Sequence, residues 1–140
     1  MTLRYNTNDA IRIQATPCFR IPAGALMDEP IQVLTTTGDQ DTALTIAREL
    51  VEQRLAACVQ VGGPLTSIYR WQGQVETATE WTCAIKTVRR LYAQVESRVR
   101  QLHPYEEPEM VVVDLVGGSA TYLAWLRAQV APIPAAERPE

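Results

Sequence analysis

An α+β sandwich with one antiparallel sheet is the fold class this sequence predicts. Three observations carry it. Strand-like and helix-like periods follow one another as strand, helix, strand, strand, helix, strand, helix. The two middle strands form one long hairpin, and the two inner helices each carry an apolar stripe. That order is the split βαβ arrangement of a ferredoxin-like βαββαβ unit with an added C-terminal helix.

The first strand is β-favouring IQVLTTT from Ile31, closed by the turn signal Gly38-Asp39 and followed by the helix-starting Asp41. Leu44, Ala47, Val51, Leu55 and Cys58 keep helical spacing, widened by Ile46 and Leu50, so a helix is predicted over 41–56. Cys58 to Val61 reads as a strand interrupted at Gly62-Gly63-Pro64, where a bulge or bend is expected, and resumed from Leu65 to Trp71. Gln72-Gly73 reverses the chain, and Val75 to Thr87 returns with Trp81, Cys83 and Ile85 alternating against Thr82, Ala84 and Lys86. If Trp71 pairs with Gln74, an unbulged register sets Cys58 opposite Thr87. Thr87 is a candidate cap for a second helix with the seam Leu91, Val95, Val99 and Leu102, widened by Tyr92 and stopped before His103-Pro104. Val111, Val112 and Val113 are β-branched and unbroken by polar residues, which predicts a strand over Met110 to Val113 buried on both faces. Gly117-Gly118 then turns the chain, and Ser119 offers an N-cap for a last helix through Val130, before Pro132 and Pro134.

At 140 residues the chain can bury a core of its own as one domain. Residues 31–131 are expected to form it, with 1–30 an N-terminal extension and 132–140 a tail. Pro17, Pro22 and Pro30 punctuate the extension, where Ile11 and Ile13 could add a short edge strand. A start at Met27 is the alternative. Hydrophobic residues make up 46% and charged residues 21%, and the formal charge of -3 disfavours a phosphate-backbone partner such as nucleic acid. The sequence contains neither a membrane-length apolar run nor the apolar core of a secretory signal, so a cytoplasmic location is expected. Cys18, Cys58 and Cys83 are odd in number and lack CxxC spacing, which leaves Cys58 and Cys83 as small apolar filler in strands.

The chemistry concentrates in His103 to Val116, HPYEEPEMVVVDLV, where the only histidine and three glutamates sit in a proline-stiffened loop feeding a strand. Imidazole beside carboxylates suits zinc, copper or another divalent ion, so His103, Glu106, Glu107 and Glu109 are candidate ligands. A helix stop followed by a solvated loop is the alternative. Neither a GxSxG elbow nor a phosphate loop is present, and no histidine-oriented nucleophile can be assembled, so an enzyme is not expected. Paired glycines at 62–63 and 117–118 mark bends more readily than anion sites. Lys86, near a strand end, could meet an anion in a cleft or stay solvated. Tyr69, Trp71 and Trp81 on the hairpin suggest that another subunit covers the sheet face lacking helices, unless they pack within the monomer.

Five blocks, LAACVQV (55–61), SIYRWQGQVE (67–76), KT (86–87), HPYEEPE (103–109) and YLAWL (122–126), resemble the CutA family of divalent-cation tolerance proteins in order and spacing. The resemblance covers about Ile31 to Val130. It implies a ferredoxin-like subunit in a tight homotrimer, similar to the PII signalling proteins, with a role in the response to metal ions. No cofactor is required by it beyond a possible divalent cation, copper or zinc. Copper ligation in some members uses a cysteine at the end of the first strand with histidine and glutamate near the HPYxxPE motif. Here that cysteine position is Thr35 and the residue before the histidine is Leu102, so the resemblance leaves His103 and Glu109 as donors and implies weak soft-metal binding. The PII likeness gives the other expectation, a sensor or scaffold taking a small anion or a protein partner in an inter-subunit cleft at Lys86, Tyr105 and Trp125.

Overall fold

A computed structural model describes residues 27–132; Ile11, Ile13 and Cys18 of the extension, and residues 133–140, lie outside them. Four strands, β1 (Pro30–Thr37), β2 (Cys58–Trp71), β3 (Gln74–Val88) and β4 (Val111–Asp114), form one antiparallel sheet in the order β2-β3-β1-β4. Helices α1 (Gln40–Glu52) and α2 (Tyr92–Leu102) connect them, and α3 (Ala120–Gln129) follows β4. The core lies between α1, α2 and one face of the sheet. Ile31 and Val33 of β1 and Cys83 and Ile85 of β3 meet Ala43, Ile46 and Leu50 of α1 and Val95 and Val99 of α2, all fully buried. Burial pushes the Cys83 thiol up to about 11, as expected of a cysteine used as filler.

Several expectations are corrected. Helix α1 ends at Glu52 because the chain closes it with a Schellman turn: Arg54 N–H donates to Val51 and Leu55 N–H to Leu50. Its buried face is Ala43, Ile46, Ala47 and Leu50, while Leu44 and Val51 stay partly in water. The helical stripe is therefore rotated from the predicted one. Asp39, two residues before the expected start, caps the helix by accepting from Thr42 N–H at 2.8 Å. Thr87 caps nothing; its hydroxyl donates to the Leu55 carbonyl at 2.6 Å, and a 3₁₀ turn, Arg89–Leu91, leads into α2.

The hairpin turns at Gln72-Gly73 with positive φ at both residues, the geometry that matches strand twist, and Trp71 pairs with Gln74 as expected. A bulge between Gly62 and Leu65 opposes two residues to Trp81 and shifts the register, so Cys58 pairs with Lys86 rather than Thr87. Gly63 is required there. A Cβ at that position would lie 2.7 Å from Trp81 Cδ1, and its φ of +147° is one that side chains rarely permit. Trp81 is thereby packed against its own chain's core, unlike Tyr69 and Trp71.

β4 is shifted by one residue from the predicted span and is an edge strand, not one buried on both faces. Val111 and Val113 pair with Leu34 and Gln32 on the face away from α1 and α2, and remain 43% and 41% exposed. Helices α1 and α2 cover only the other face, so these two valines are only partly covered within the chain. Among the described residues no helix is long and apolar enough to cross a membrane.

Arg54 joins two helix ends. It is the C′ residue of α1, in the left-handed region at φ 58°, and its guanidinium donates to the carbonyls of Ala128 and Gln129 at 3.1 and 3.0 Å at the end of α3. A cation on those terminal carbonyls also opposes the helix dipole. Arg54→Ala keeps the backbone strain and loses the bonds, for an expected cost of about 1–2 kcal/mol. Arg54→Gly loses the bonds but relieves the strain and is expected to cost less than half as much. Urea unfolding of the two variants checks this; equal costs would contradict it.

Candidate acidic cleft and its family

The loop from His103 to Glu109 folds back over the end of β1 because α2 stops at Leu102 and His103 adopts an extended backbone. His103 is 7% exposed and both ring nitrogens are used. Nδ1 accepts from Tyr105 N–H at 3.1 Å, so the network places the proton on Nε2, which donates to the Thr36 carbonyl at 2.7 Å. The ring also lies against Tyr105, centroids 4.8 Å apart. His103 braces the loop onto β1 and does not line the neighbouring cavity.

That cavity, of about 620 Å³, lies between the loop and the distal hairpin. Thr36, Ser67, Tyr69, Trp71 and Glu80 line it from the sheet, and Tyr105, Glu106, Glu107 and Glu109 from the loop. Thr36 sends its hydroxyl to Glu109 Oε2 at 3.3 Å. Tyr105 donates to Glu80 Oε2 at 3.4 Å and rests against Gly38, where a Cβ would come within 3.0 Å of the phenol oxygen. Burial, and then the charge of Glu80, push the Tyr105 hydroxyl above its ordinary value. Glu107 is partly neutralised by Arg100 at 3.5 Å. The lining holds four carboxylates and no basic side chain, so the cavity is suited to cations.

Glu109 reaches the cavity, but the other predicted metal donor, His103, does not. Thr35 is fully buried on the helix-facing side of β1, opposite Cys83, and its hydroxyl has no hydrogen bond. The adjacent Thr36 is the residue that meets Glu109. Among the described residues, no group of three or more His, Cys, Asp or Glu is placed to hold a metal ion.

The three predicted cleft residues are divided. Tyr105 lines the acidic cavity, whereas Lys86 sits over the Tyr122 ring at 5.7 Å and donates to Gln60 Oε1 at 3.1 Å. Trp125 lies beside the same Tyr122, centroids 5.6 Å apart. Lys86 and Glu80 are six residues apart along β3, roughly 20 Å of extended chain. One chain does not bring Lys86 and Tyr105 together.

Glu80, Thr36 and Ser67 went unrecognised in the sequence. Alternation put Glu80 on the face away from the helices, but only the loop crossing over that face makes it part of a site.

The family profile described as CutA1 divalent ion tolerance protein matches residues 31–129. The chain belongs to that family. A divalent-cation tolerance protein CutA of Thermus thermophilus is 46% identical over 95 residues, 68% of this chain and 92% of that protein. Protein CutA of Homo sapiens is 35% identical over 114 residues, covering 81% of this chain and 64% of the human one. Among solved structures, the Cut A1 protein of Thermus thermophilus superposes with a TM-score of 0.71 at 43% identity, over 73% of this chain and 99% of the other. CutA1 of a psychrotrophic Shewanella species gives 0.73 at 37% identity, over 75% and 98%. Membership in the CutA1 family accounts for the α+β sandwich and assigns this chain to divalent-cation tolerance.

Proposed function

We propose that this CutA1-family chain acts in divalent-cation tolerance as a homotrimer without enzymatic activity, holding its cation loosely through carboxylate oxygens around Glu109. The observation that carries the assembly is the uncovered sheet face. Val111 and Val113 expose about two-fifths of their surface there, and Trp71 at 58% extends the apolar surface along the hairpin. Closure of such a face by further copies removes it from water. His103 is committed to Thr36 and Tyr105, so the cation meets oxygen donors, which suit copper(II) poorly beside thiolate or imidazole. The cytoplasm remains our expected location. Relatives named as chloroplastic in Arabidopsis thaliana and periplasmic in Archaeoglobus fulgidus occupy other compartments.

An anion held at Lys86 is less favoured, since its ammonium already has Gln60 and Tyr122 as partners. Calorimetric titration of the full chain with zinc and copper(II) tests the metal reading. Weak binding is expected, lost in Glu109→Gln and kept in His103→Asn. Tight binding that disappears with His103 would overturn the carboxylate assignment, and no binding of either ion would remove the metal role.

A further inference from the structure

We infer that the cavity beside the acidic loop binds a linear polyamine, an aliphatic chain carrying two or more protonated amines. The lining combines three aromatic rings, Tyr69, Trp71 and Tyr105, with four carboxylates, Glu80, Glu106, Glu107 and Glu109. Rings of this kind accept methylene stems on their faces and attract ammonium groups by cation–π contact. The carboxylates are spread around the wall, and among the described residues no three acidic or metal-ligating side chains come close enough to share one ion. A compact cation therefore leaves most of them unmet, whereas charges spaced along a chain can reach several at once. A cavity of about 620 Å³ falls within the size range of small-molecule sites.

Of these four carboxylates Glu80 is the one set deepest. It is 7% exposed, yet its only hydrogen bond is the long one from Tyr105, and among the described residues it forms no ion pair. A carboxylate this poorly hydrated gains from a cationic partner. An ammonium entering between Tyr105 and Trp71 supplies it, while the outer glutamates take the next charge.

Titration of the full assembled chain with spermidine, in low salt with EDTA present, tests the inference. Binding is expected, weakened about tenfold or more by Glu80→Gln and by Trp71→Ala, and weakened again by salt. Butylamine, with one charge, should bind at least roughly tenfold less tightly. Trp71 is 58% exposed in the single chain and lies on the hairpin assigned above to the contact between copies, so the mass of its variant is measured beside the titration, and lost binding at an unchanged mass reads the site if the Glu80 variant folds poorly. Absence of spermidine binding, binding indifferent to both substitutions, or butylamine equal to spermidine would overturn the proposal. With metal chelated throughout, these outcomes are separate from the zinc and copper titrations.

Discussion

His103→Ala is expected to lower stability by about 2–3 kcal/mol, because it removes two hydrogen bonds at a buried position and leaves the Tyr105 N–H and the Thr36 carbonyl without their partner. The two nitrogens can be separated. An asparagine amide reaches about as far as Nδ1 and a glutamine amide about as far as Nε2, so His103→Asn should keep the Tyr105 bond and His103→Gln the Thr36 bond. Each is expected to recover roughly half of the loss. Denaturant unfolding of the three variants in EDTA checks this. A cost below about 0.5 kcal/mol for alanine would place His103 among the surface residues and return it to consideration as a ligand.

Aspartate at both Val111 and Val113 is expected to have the other large effect. On a sheet face open to solvent, two exposed valines can be exchanged at small cost, typically within about 0.5 kcal/mol each. On a face closed by further copies, the same change buries unpaired charges in each subunit and should dissociate the assembly or lower its stability by several kcal/mol. Sedimentation of the double variant beside the unsubstituted chain distinguishes the two cases. An unchanged mass and unchanged stability would locate the interface elsewhere.

Most of the fold was legible because local chemistry and tertiary structure agree. The Gln72-Gly73 turn specified the hairpin, Ser119 capped α3 as expected by accepting from Tyr122 N–H, and the predicted seam is buried, with Val95 and Val99 on α2 and Leu91 on the 3₁₀ turn before it. Errors arose where one feature had two uses. Leu44 and Val51 look like core residues, but a helix with apolar residues on more than one side can be rotated, and Ala43 permitted the close approach. Arg54 ended α1 without the glycine that usually marks such a turn, since its guanidinium is needed at α3. The valine run of β4 announced burial without revealing that Val111 and Val113 stay about two-fifths exposed on the face away from α1 and α2.

The site was legible in composition but not in assembly. HPYEEPE singled out the loop, yet nothing local shows that the histidine turns inward as a brace while Glu106, Glu107 and Glu109 turn towards Tyr69 and Trp71. That division depends on contacts between residues more than sixty positions apart, as in the bond from His103 to Thr36. Tyr69 and Trp71, expected at a subunit interface, also wall the cavity, and their partial exposure is compatible with both uses.

Light scattering of the full chain at low micromolar concentration shows whether copies of this chain close the open sheet face. The predicted mass is three times 15.6 kDa, retained on dilution, and a mass of 15.6 kDa would contradict it.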